Sequence, residues 1–181
     1  LNSIGDSQCR PDYVAGLAAY YSRHLDKLCP DCKIRIDRNP LRLLDCKVET
    51  CRALGDDAPR SADHLCEDCL EHWNKLQGYL RGMGIPFQVD HRLVRGLDYY
   101  SRTVFEIQPS VGGSQSTIIG GGRYDRLIEQ LGGRPTPGIG FGSGMERLTL
   151  NLKSSGVAVP DEASPTYLVA NVGNDARPAA L

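Results

Sequence analysis

Alternating glycines occupy the run Pro137-Gly-Ile-Gly-Phe-Gly-Ser-Gly144. Alternate residues of a strand face opposite sides, so these glycines would leave one face without side chains. A flat ligand could then lie directly against the backbone, although a close-packed or bulged strand would account for the same pattern. Arg147 follows one turn into the next predicted helix, and its guanidinium is suited to phosphate contact and to stacking on a purine. The run matches neither a P-loop nor the glycine pattern of dinucleotide-binding folds.

Two further clusters in this part of the chain combine glycine with arginine, tyrosine and aspartate. They are Leu93-Val-Arg-Gly-Leu-Asp-Tyr-Tyr100 and Gly120-Gly-Gly-Arg-Tyr-Asp125. Either run alone is equally well explained as a solvated loop with half-buried tyrosines. Three such clusters among predicted strands together favour a polar pocket floored by a sheet.

The cysteines form three short pairs and one isolated residue. Two pairs, Cys29-Pro-Asp-Cys32 and Cys66-Glu-Asp-Cys69, have the C-x2-C spacing with which two thiolates hold one tetrahedral ion. We therefore predict a structural zinc site with four ligands, Cys29, Cys32, Cys66 and Cys69. The pair Cys46-Lys-Val-Glu-Thr-Cys51 offers Cys46 and Cys51 as alternative ligands, and free, partly buried thiols are the competing interpretation.

Seven cysteines are unusual for a chain in which we find no secretory signal. In a reducing compartment such a pattern indicates metal ligands or free thiols rather than disulfides, so we expect a cytoplasmic protein. No apolar run has the length of a membrane span, and a net charge of −1 argues neither for nor against a nucleic-acid partner. The 181 residues suffice for one large domain or two small ones.

Hydrophobic periodicity predicts helices from about residue 10 to residue 84, and β-prone runs follow. Amphipathic stripes predict a helix after Pro11, carrying Val14, Leu17, Tyr21 and Leu25, and another with Trp73, Leu76, Leu80 and Met83. The β-prone runs are 87–89, 103–107 and 116–119, and further helices are expected at 124–131 and 145–152. Residues 154–165 are rich in Ser, Gly and Pro and indicate a linker, and 167–170 indicate one more strand.

Three long motifs resemble the histidyl-tRNA synthetase family. Leu93-Val-Arg-Gly-Leu-Asp-Tyr-Tyr-Ser-Arg-Thr-Val-Phe-Glu106 resembles its first histidine-specific motif, and Gly120-Gly-Gly-Arg-Tyr-Asp-Arg-Leu-Ile-Glu-Gln-Leu-Gly-Gly133 resembles the second. Gly138-Ile-Gly-Phe-Gly-Ser-Gly-Met-Glu-Arg-Leu148 is similar to motif 3 of class II aminoacyl-tRNA synthetases. Asn39-Pro-Leu-Arg-Leu-Leu-Asp45 also fits the bacterial members.

The resemblance implies an α+β fold, a class II antiparallel sheet of six or seven strands flanked by helices. It divides the chain into a mostly helical insertion domain with the cysteine-rich segment (1–84), the second half of the catalytic core (85–153), a linker (154–165) and the start of an anticodon-binding domain (166–181). Nothing in the sequence resembles motif 1 or motif 2, so we expect an internal fragment that is inactive by itself.

The implied activity is the ATP-dependent conversion of L-histidine to histidyl-adenylate, followed by transfer to tRNA(His). By the family pattern Arg95 is catalytic and contacts the histidine carboxylate and the α-phosphate. The family's histidine-binding residues correspond to Arg95, Tyr99, Tyr100 and Tyr124, and its ATP-binding residues to Arg147, Gly142 and Gly144. The other implied partners are ATP with Mg²⁺ and a second copy of the full-length protein.

Both tyrosines of the pair 99–100 can reach one pocket only if residues 95–100 are not a regular strand. Two rival functions remain. One is the synthetase-like regulatory subunit of ATP phosphoribosyltransferase, which binds histidine without aminoacylating tRNA. The other is a zinc-binding nucleic-acid module, which explains the cysteines but leaves the three glycine-rich clusters unexplained.

Overall fold

The computed structural model describes residues 1–109, 117–158 and 170. The α-helices are α1 (Arg10–Ser22), α2 (Pro30–Arg38), α3 (Glu49–Asp56), α4 (Glu67–Gly82), α5 (Leu127–Gln130) and α6 (Met145–Ser154). The strands are β1 (Asn2–Ser3), β2 (Ser101–Ile107), β3 (Ile119–Arg123) and β4 (Ile139–Ser143), and short 3-10 helices cover Leu25–Lys27, Pro40–Leu43 and Ser61–His64. Residues 167–169 of the strand expected at 167–170, and most of the expected linker, lie outside the described residues.

The first half of the described chain is helical, as the periodicity predicted. Pro11 lies in the first turn of α1, where a missing backbone N–H costs nothing. Helix α1 buries Tyr13, Leu17 and Tyr21, but Leu25 lies beyond its end and is 46% exposed. The predicted stripe was therefore wrong at its last position, because the helix stops before it reaches that turn.

Helix α4 ends at its expected glycine and buries less of its predicted stripe than expected. Gly84 has φ +67°, the left-handed conformation that terminates helices. Trp73 is buried together with Cys69 on the preceding turn, whereas Met83 is 71% exposed. Only the first turns of α4 pack against the sheet, where His72 Nε2 lies 3.1 Å from Thr103 Oγ1 on β2.

The four strands form one antiparallel sheet in the order β1-β2-β3-β4. The register places Asn2 opposite Val104 and Glu106 opposite Gly120. On the other side of β3, Gly120 is opposite Gly142 and Gly122 opposite Gly140. Gly120, Gly122, Gly140 and Gly142 therefore share one face of the sheet, called the glycine face, and Gly121 and Phe141 lie on the other.

Two predicted elements differ in the structure. Residues 87–89 form no strand, and instead the Gln88 carbonyl accepts a hydrogen bond of 3.0 Å from the amino group of Leu1. The helix predicted at 124–131 is only the four-residue α5, because the backbone N–H of Tyr124 donates 2.8 Å to the carbonyl of Gly138 and so extends the sheet pairing.

The chain divides into two compact units, Leu1–Leu148 and Thr149–Leu181. The first unit holds both the helical part and the sheet, so the domain boundary expected at residue 84 lies inside it. Asn2 and Ser3 form β1, which pairs with β2 in the sheet. Among the described residues, no helix combines the length and apolar character needed to cross a bilayer.

A half-buried arginine joins α1 to the sheet. Arg10 Nε donates to the carbonyl of Ile4 at 3.1 Å, and its Nη2 donates to the carbonyls of Gly5 at 2.9 Å and Tyr100 at 2.5 Å. These charge-assisted bonds link the side chain to three backbone carbonyls, of which that of Gly5 also accepts the backbone N–H of Arg102. The start of α1 is thereby fixed to the residue that precedes β2.

Two isoleucines of α2 provide a matched test of the helical core. Ile36 is 8% exposed and packs in the core, whereas Ile34 on the same helix is 55% exposed. We predict that Ile36→Ala lowers the free energy of unfolding by about 2–5 kcal/mol because it leaves a cavity. Ile34→Ala should change it by less than about 0.5 kcal/mol. Urea unfolding of both variants measures this, and equal losses would contradict the packing described here.

Candidate functional site

The segment that precedes β2 is irregular, as the tyrosine pair required. Residues 95–100 contain no strand, and β2 starts only at Ser101. The β2–β3 register then shifts between Ser101 and Val104, and Arg102 within this bulge has φ +56°. A bulge re-aims the side chains around it, and a left-handed arginine costs about 1–3 kcal/mol unless its surroundings hold it. Backbone bonds of 2.7 Å from Arg102 N to Gly5 O and from Ile4 N to Arg102 O hold it.

Three tyrosines line a pocket of about 370 Å³ beside the glycine face. The ring centroids of Tyr99 and Tyr100 are 4.5 Å apart, and those of Tyr99 and Tyr124 are 6.0 Å apart in an edge-to-face arrangement. The Tyr99 hydroxyl donates to the Tyr100 hydroxyl at 3.5 Å. A phenol hydroxyl both donates and accepts, so the pocket offers stacking surfaces together with polar groups that fit either partner.

Each of these large side chains lies on a residue that has no side chain of its own. A Cβ added at Gly122 would lie 2.7 Å from Tyr100 Cδ1, and one at Gly140 would lie 2.9 Å from the Tyr124 hydroxyl. A Cβ at Gly120 would lie 2.5–2.6 Å from the guanidinium of Arg95. Real Cβ atoms do not approach so closely, so a side chain at any of these glycines would displace the site residue that covers it, and at Gly122 it would also meet the backbone of Thr103.

Arg95 is held against this glycine face by a carboxylate of β2. Its Nη1 donates to Glu106 Oε1 at 2.5 Å, and the two side chains are 27% and 18% exposed. Glu106 Oε2 also accepts bonds from Thr117 at 2.7 Å and Gln108 at 3.1 Å. Arg95 Nε is buried without a hydrogen-bond partner among the described residues, so this guanidinium retains an unused donor.

A cavity of about 1,110 Å³ extends from the glycine face to the helical part. Its lining includes six cationic side chains, Arg42, Lys47, Arg52, Arg92, Arg95 and Arg147. Three carboxylates also line it, those of Asp45, Asp90 and Glu106. We call this space the arginine cavity. Its excess of cationic side chains makes it suited to a polyanion such as a nucleoside triphosphate.

The arginine cavity and the tyrosine pocket share one lining residue. Gly142 lines both, whereas Gly144 and Arg147 line the arginine cavity alone. Arg147 is exposed, and its Nη1 donates to the Thr117 carbonyl at 3.0 Å. A ligand lying over Gly142 would therefore reach the tyrosines at one end and the arginines at the other.

The helical part supports the irregular segment from behind. Asn39 Nδ2 donates to Asp98 Oδ1 at 2.9 Å, and the Arg42 guanidinium lies 3.1 Å from where a Cβ of Gly96 would be. Both contacts come from the run 39–45 that the sequence analysis singled out. This run therefore positions the loop between Arg95 and the tyrosines.

The cysteines form two separate clusters, so Cys29 and Cys32 do not meet Cys66 and Cys69 as predicted but meet the alternative pair, Cys46 and Cys51. The first, called the four-thiol cluster, is Cys29, Cys32, Cys46 and Cys51. The second, called the mixed cluster, is Asp6, Cys9, Cys66 and Cys69. Within each cluster all ligand atoms lie within 4.8 Å of one another. The two C-x2-C pairs do not meet, because each begins a different helix and faces different partners.

The ionisation of these groups reflects burial and hydrogen bonding. Burial raises the pKa of the Cys32 and Cys69 thiols. Burial also acts to raise the pKa of Cys29, but hydrogen bonds from the Cys32 amide and neighbouring thiols outweigh it and lower that pKa. Burial also acts to raise the pKa of the Asp6 carboxyl, but hydrogen bonds from Cys69, the Gln8 amide and Arg102 outweigh it and lower that pKa to about 2.

The sequence model of the family described as "Histidyl-tRNA synthetase" matches residues 39–148. A histidine–tRNA ligase of Dehalococcoides mccartyi is 59% identical over all 181 residues, and one of Caldanaerobacter subterraneus is 49% identical over 177. This chain belongs to the histidyl-tRNA synthetase family. The two alignments include 100% and 98% of this chain but only 43% and 42% of the relatives' lengths.

A solved structure agrees with the family assignment. The crystal structure of the apo histidyl-tRNA synthetase of S. aureus is similar with a TM-score of 0.65 and 34% identity. The alignment covers 99% of this chain and 44% of that one. The expected class II α+β fold is therefore confirmed, with four of the sheet's strands among the residues described here.

The residues that the motifs singled out lie together, and their supports were not predicted. Arg95, Tyr99, Tyr100, Tyr124 and Gly142 line the two adjoining cavities, and their binding roles stay predictions. The partner of Arg95, Glu106, was quoted within a motif without a role. The supporting pair Arg42–Gly96 and the metal-ligand candidates Asp6 and Cys9 were not predicted. The D-x2-C spacing of Asp6 and Cys9 was the available signal.

The glycine face makes a prediction about single methyl groups. Gly122→Ala places a Cβ 2.7 Å from both Tyr100 Cδ1 and the Thr103 carbonyl oxygen, whereas Gly142→Ala meets nothing within 4 Å. We expect Gly122→Ala to lower the free energy of unfolding by about 1–3 kcal/mol and to alter the near-ultraviolet circular dichroism of the tyrosines. Gly142→Ala should change stability by less than about 0.5 kcal/mol. Two variants that unfold alike in urea would contradict this account.

Proposed function

We propose that this chain is the part of a histidine–tRNA ligase that binds L-histidine and ATP for the formation of histidyl-adenylate, which then transfers histidine to tRNA(His). The observation that carries the proposal is the shared glycine face. There the tyrosine pocket and the arginine cavity adjoin at Gly142. Adenylation needs this adjacency, since the amino acid and the α-phosphate must meet.

Histidine recognition is assigned to the tyrosine pocket. A neutral imidazole presents one donor and one acceptor, and the hydroxyls of Tyr99, Tyr100 and Tyr124 can pair with either. The edge-to-face rings leave a flat, half-buried space for an aromatic side chain. A pocket built from such groups rejects apolar analogues, because its own hydroxyls would lose their partners.

Arg95 is assigned to the reacting groups. In adenylation a carboxylate oxygen of histidine attacks the α-phosphorus, and the bond from that phosphorus to the bridging oxygen breaks as pyrophosphate leaves. Negative charge on the phosphoryl oxygens grows during this step, and a preoriented guanidinium stabilises it. Glu106 holds that guanidinium over Gly120.

The arginine cavity is assigned to ATP with its Mg²⁺ ion. Arg147 would pack on the adenine, and Gly142 with Gly144 would let the nucleotide lie against the backbone. We further infer that the full-length protein is a cytoplasmic homodimer. A zinc ion held by four protein ligands would be structural, because such coordination leaves no open position for a substrate, although Cys46 also lines the arginine cavity.

Arg95→Ala tests the catalytic assignment in a protein of the relatives' full length that carries this segment. Histidine-dependent exchange of pyrophosphate into ATP should fall about 10²- to 10³-fold, because one preoriented charge is lost. Arg95→Lys should restore little, since lysine lacks the planar fork.

The matched control is Arg81→Ala, which removes an arginine of α4 that lies 5.6 Å above the Phe87 ring, outside both cavities. Its exchange rate should stay within about twofold of wild type. Equal activity of the Arg95→Ala and Arg81→Ala variants would remove Arg95 from the mechanism.

Tyr100→Phe and Tyr124→Phe test the histidine pocket. Each removes one hydroxyl and keeps the ring, so KM for histidine should rise more than KM for ATP. Tyr79→Phe is the control, because Tyr79 lies on α4 and is 65% exposed. Steady-state exchange kinetics measure both constants, and a rise confined to KM for ATP would show that the pocket binds another part of the substrates.

A further inference from the structure

We propose that the chain binds two structural zinc ions, one in the four-thiol cluster and one in the mixed cluster. Together the two sites would use all seven cysteines of the sequence, four in the first and three with Asp6 in the second. The proposal concerns folding and is independent of the proposed catalytic function.

The four-thiol cluster has the dimensions of a tetrahedral thiolate site. With zinc–sulfur bonds of about 2.3 Å, the sulfur atoms of such a site are about 3.8 Å apart. The Sγ atoms of Cys29 and Cys46 are 3.9 Å apart, and all four thiols are free. The backbone N–H of Cys29 already donates to Cys51 Sγ at 3.2 Å, an outer bond of the kind that orients metal ligands.

The mixed cluster joins three thiols to one carboxylate. Asp6 Oδ1 lies 3.7 Å from Cys9 Sγ and also accepts the backbone N–H of Gln8 at 3.0 Å, so the carboxylate is fixed beside the sulfur. Its other oxygen, Oδ2, pairs with Arg102 Nη2 at 3.3 Å. A carboxylate that binds metal through one oxygen and a cation through the other is oriented as ligating carboxylates usually are.

Both clusters are built on the same local structure. Cys29 is the N-cap of α2 with φ −66° and ψ 160°, and Cys66 is the N-cap of α4 with φ −67° and ψ 166°. Each is followed three residues later by the second cysteine of its pair, Cys32 or Cys69, which is fully buried. The two helix starts therefore present their sulfur pairs in the same way, and each pair meets one further pair of ligand groups.

The charges around the mixed cluster fit a bound ion. Zn²⁺ with three thiolates and one carboxylate carries a net charge of −2, which is costly in a half-buried place unless cations lie nearby. Arg10 and Arg102 both interact electrostatically with Asp6 and Cys69. Thiolates with one carboxylate suit zinc, and four thiolates in a tetrahedron suit zinc or iron, so the metal must be identified directly.

Metal content of the purified, reduced, full chain is the first test. Elemental analysis should find two zinc ions per chain. Cys51→Ser should remove one of them and Cys69→Ser the other, and each variant should keep the remaining ion. One ion per chain that Cys69→Ser leaves in place would overturn the mixed site, and less than about a tenth of an equivalent would overturn both sites.

A second measurement on the unaltered chain does not depend on the variants folding. Thiol reagent should modify few of the seven cysteines until a strong chelator is added, although Cys29 and Cys66 are only half-buried. Chelation should expose all seven and lower the melting temperature, and added zinc should reverse both changes. Thiols that react equally with and without zinc, or iron in place of zinc, would contradict the proposal.

The carboxylate ligand has its own matched pair. Asp6→Asn should weaken the mixed site by at least about 10- to 100-fold in competition with a chromophoric chelator and leave the four-thiol cluster unchanged. Asp12→Asn alters a carboxylate in the first turn of α1 that belongs to neither cluster, and it should retain both ions. Equal zinc retention by the two variants would show that Asp6 is not a ligand.

Discussion

The close approach of large side chains to a bare backbone governs the site. Arg95 lies over Gly120, Tyr100 against Gly122 and Tyr124 against Gly140. Each contact is so close that a Cβ on the glycine would lie less than 3.0 Å from the covering side chain. These contacts place a guanidinium and two phenols on one side of a flat sheet with nothing between them and the backbone. Because β3 and β4 are in register, the same face stays open at Gly142, where a ligand can bridge the two cavities.

The helical part and the sheet belong to one structural unit, and both contribute contacts that hold the residues of the site in place. Arg10 ties the start of α1 to the carbonyl of Tyr100, and Asn39 holds Asp98 within the irregular segment. The left-handed Arg102 is tolerated because Gly5 and Ile4 bond its backbone on either side. Asp6 pairs with the side chain of the same arginine. The mixed cysteine cluster therefore adjoins the bulge that precedes the regular part of β2.

Local signals in the sequence predicted local structure, but the sequence did not show which distant segments pair with one another. Pro11 and Gly84 marked helix ends correctly, and the alternating glycines predicted a bare strand face. Spacing showed which cysteines form pairs, but which pairs meet depends on how α2 and α4 pack, which no spacing encodes. The β-prone run 87–89 failed for a similar reason, since its backbone bonds to Leu1 rather than to a strand.

The Arg95–Glu106 ion pair has a carboxylate with further hydrogen-bond partners. Breaking a partly buried ion pair is costly when it leaves one charge without partners. Glu106 keeps the hydroxyl of Thr117 and the amide of Gln108 on its second oxygen, so it remains hydrogen-bonded if Arg95 turns toward an anion. Arg95 lies over Gly120, and its buried Nε has no hydrogen-bond partner among the described residues. The carboxylate therefore aligns the cation, and its other hydrogen bonds lower the cost of separating the pair.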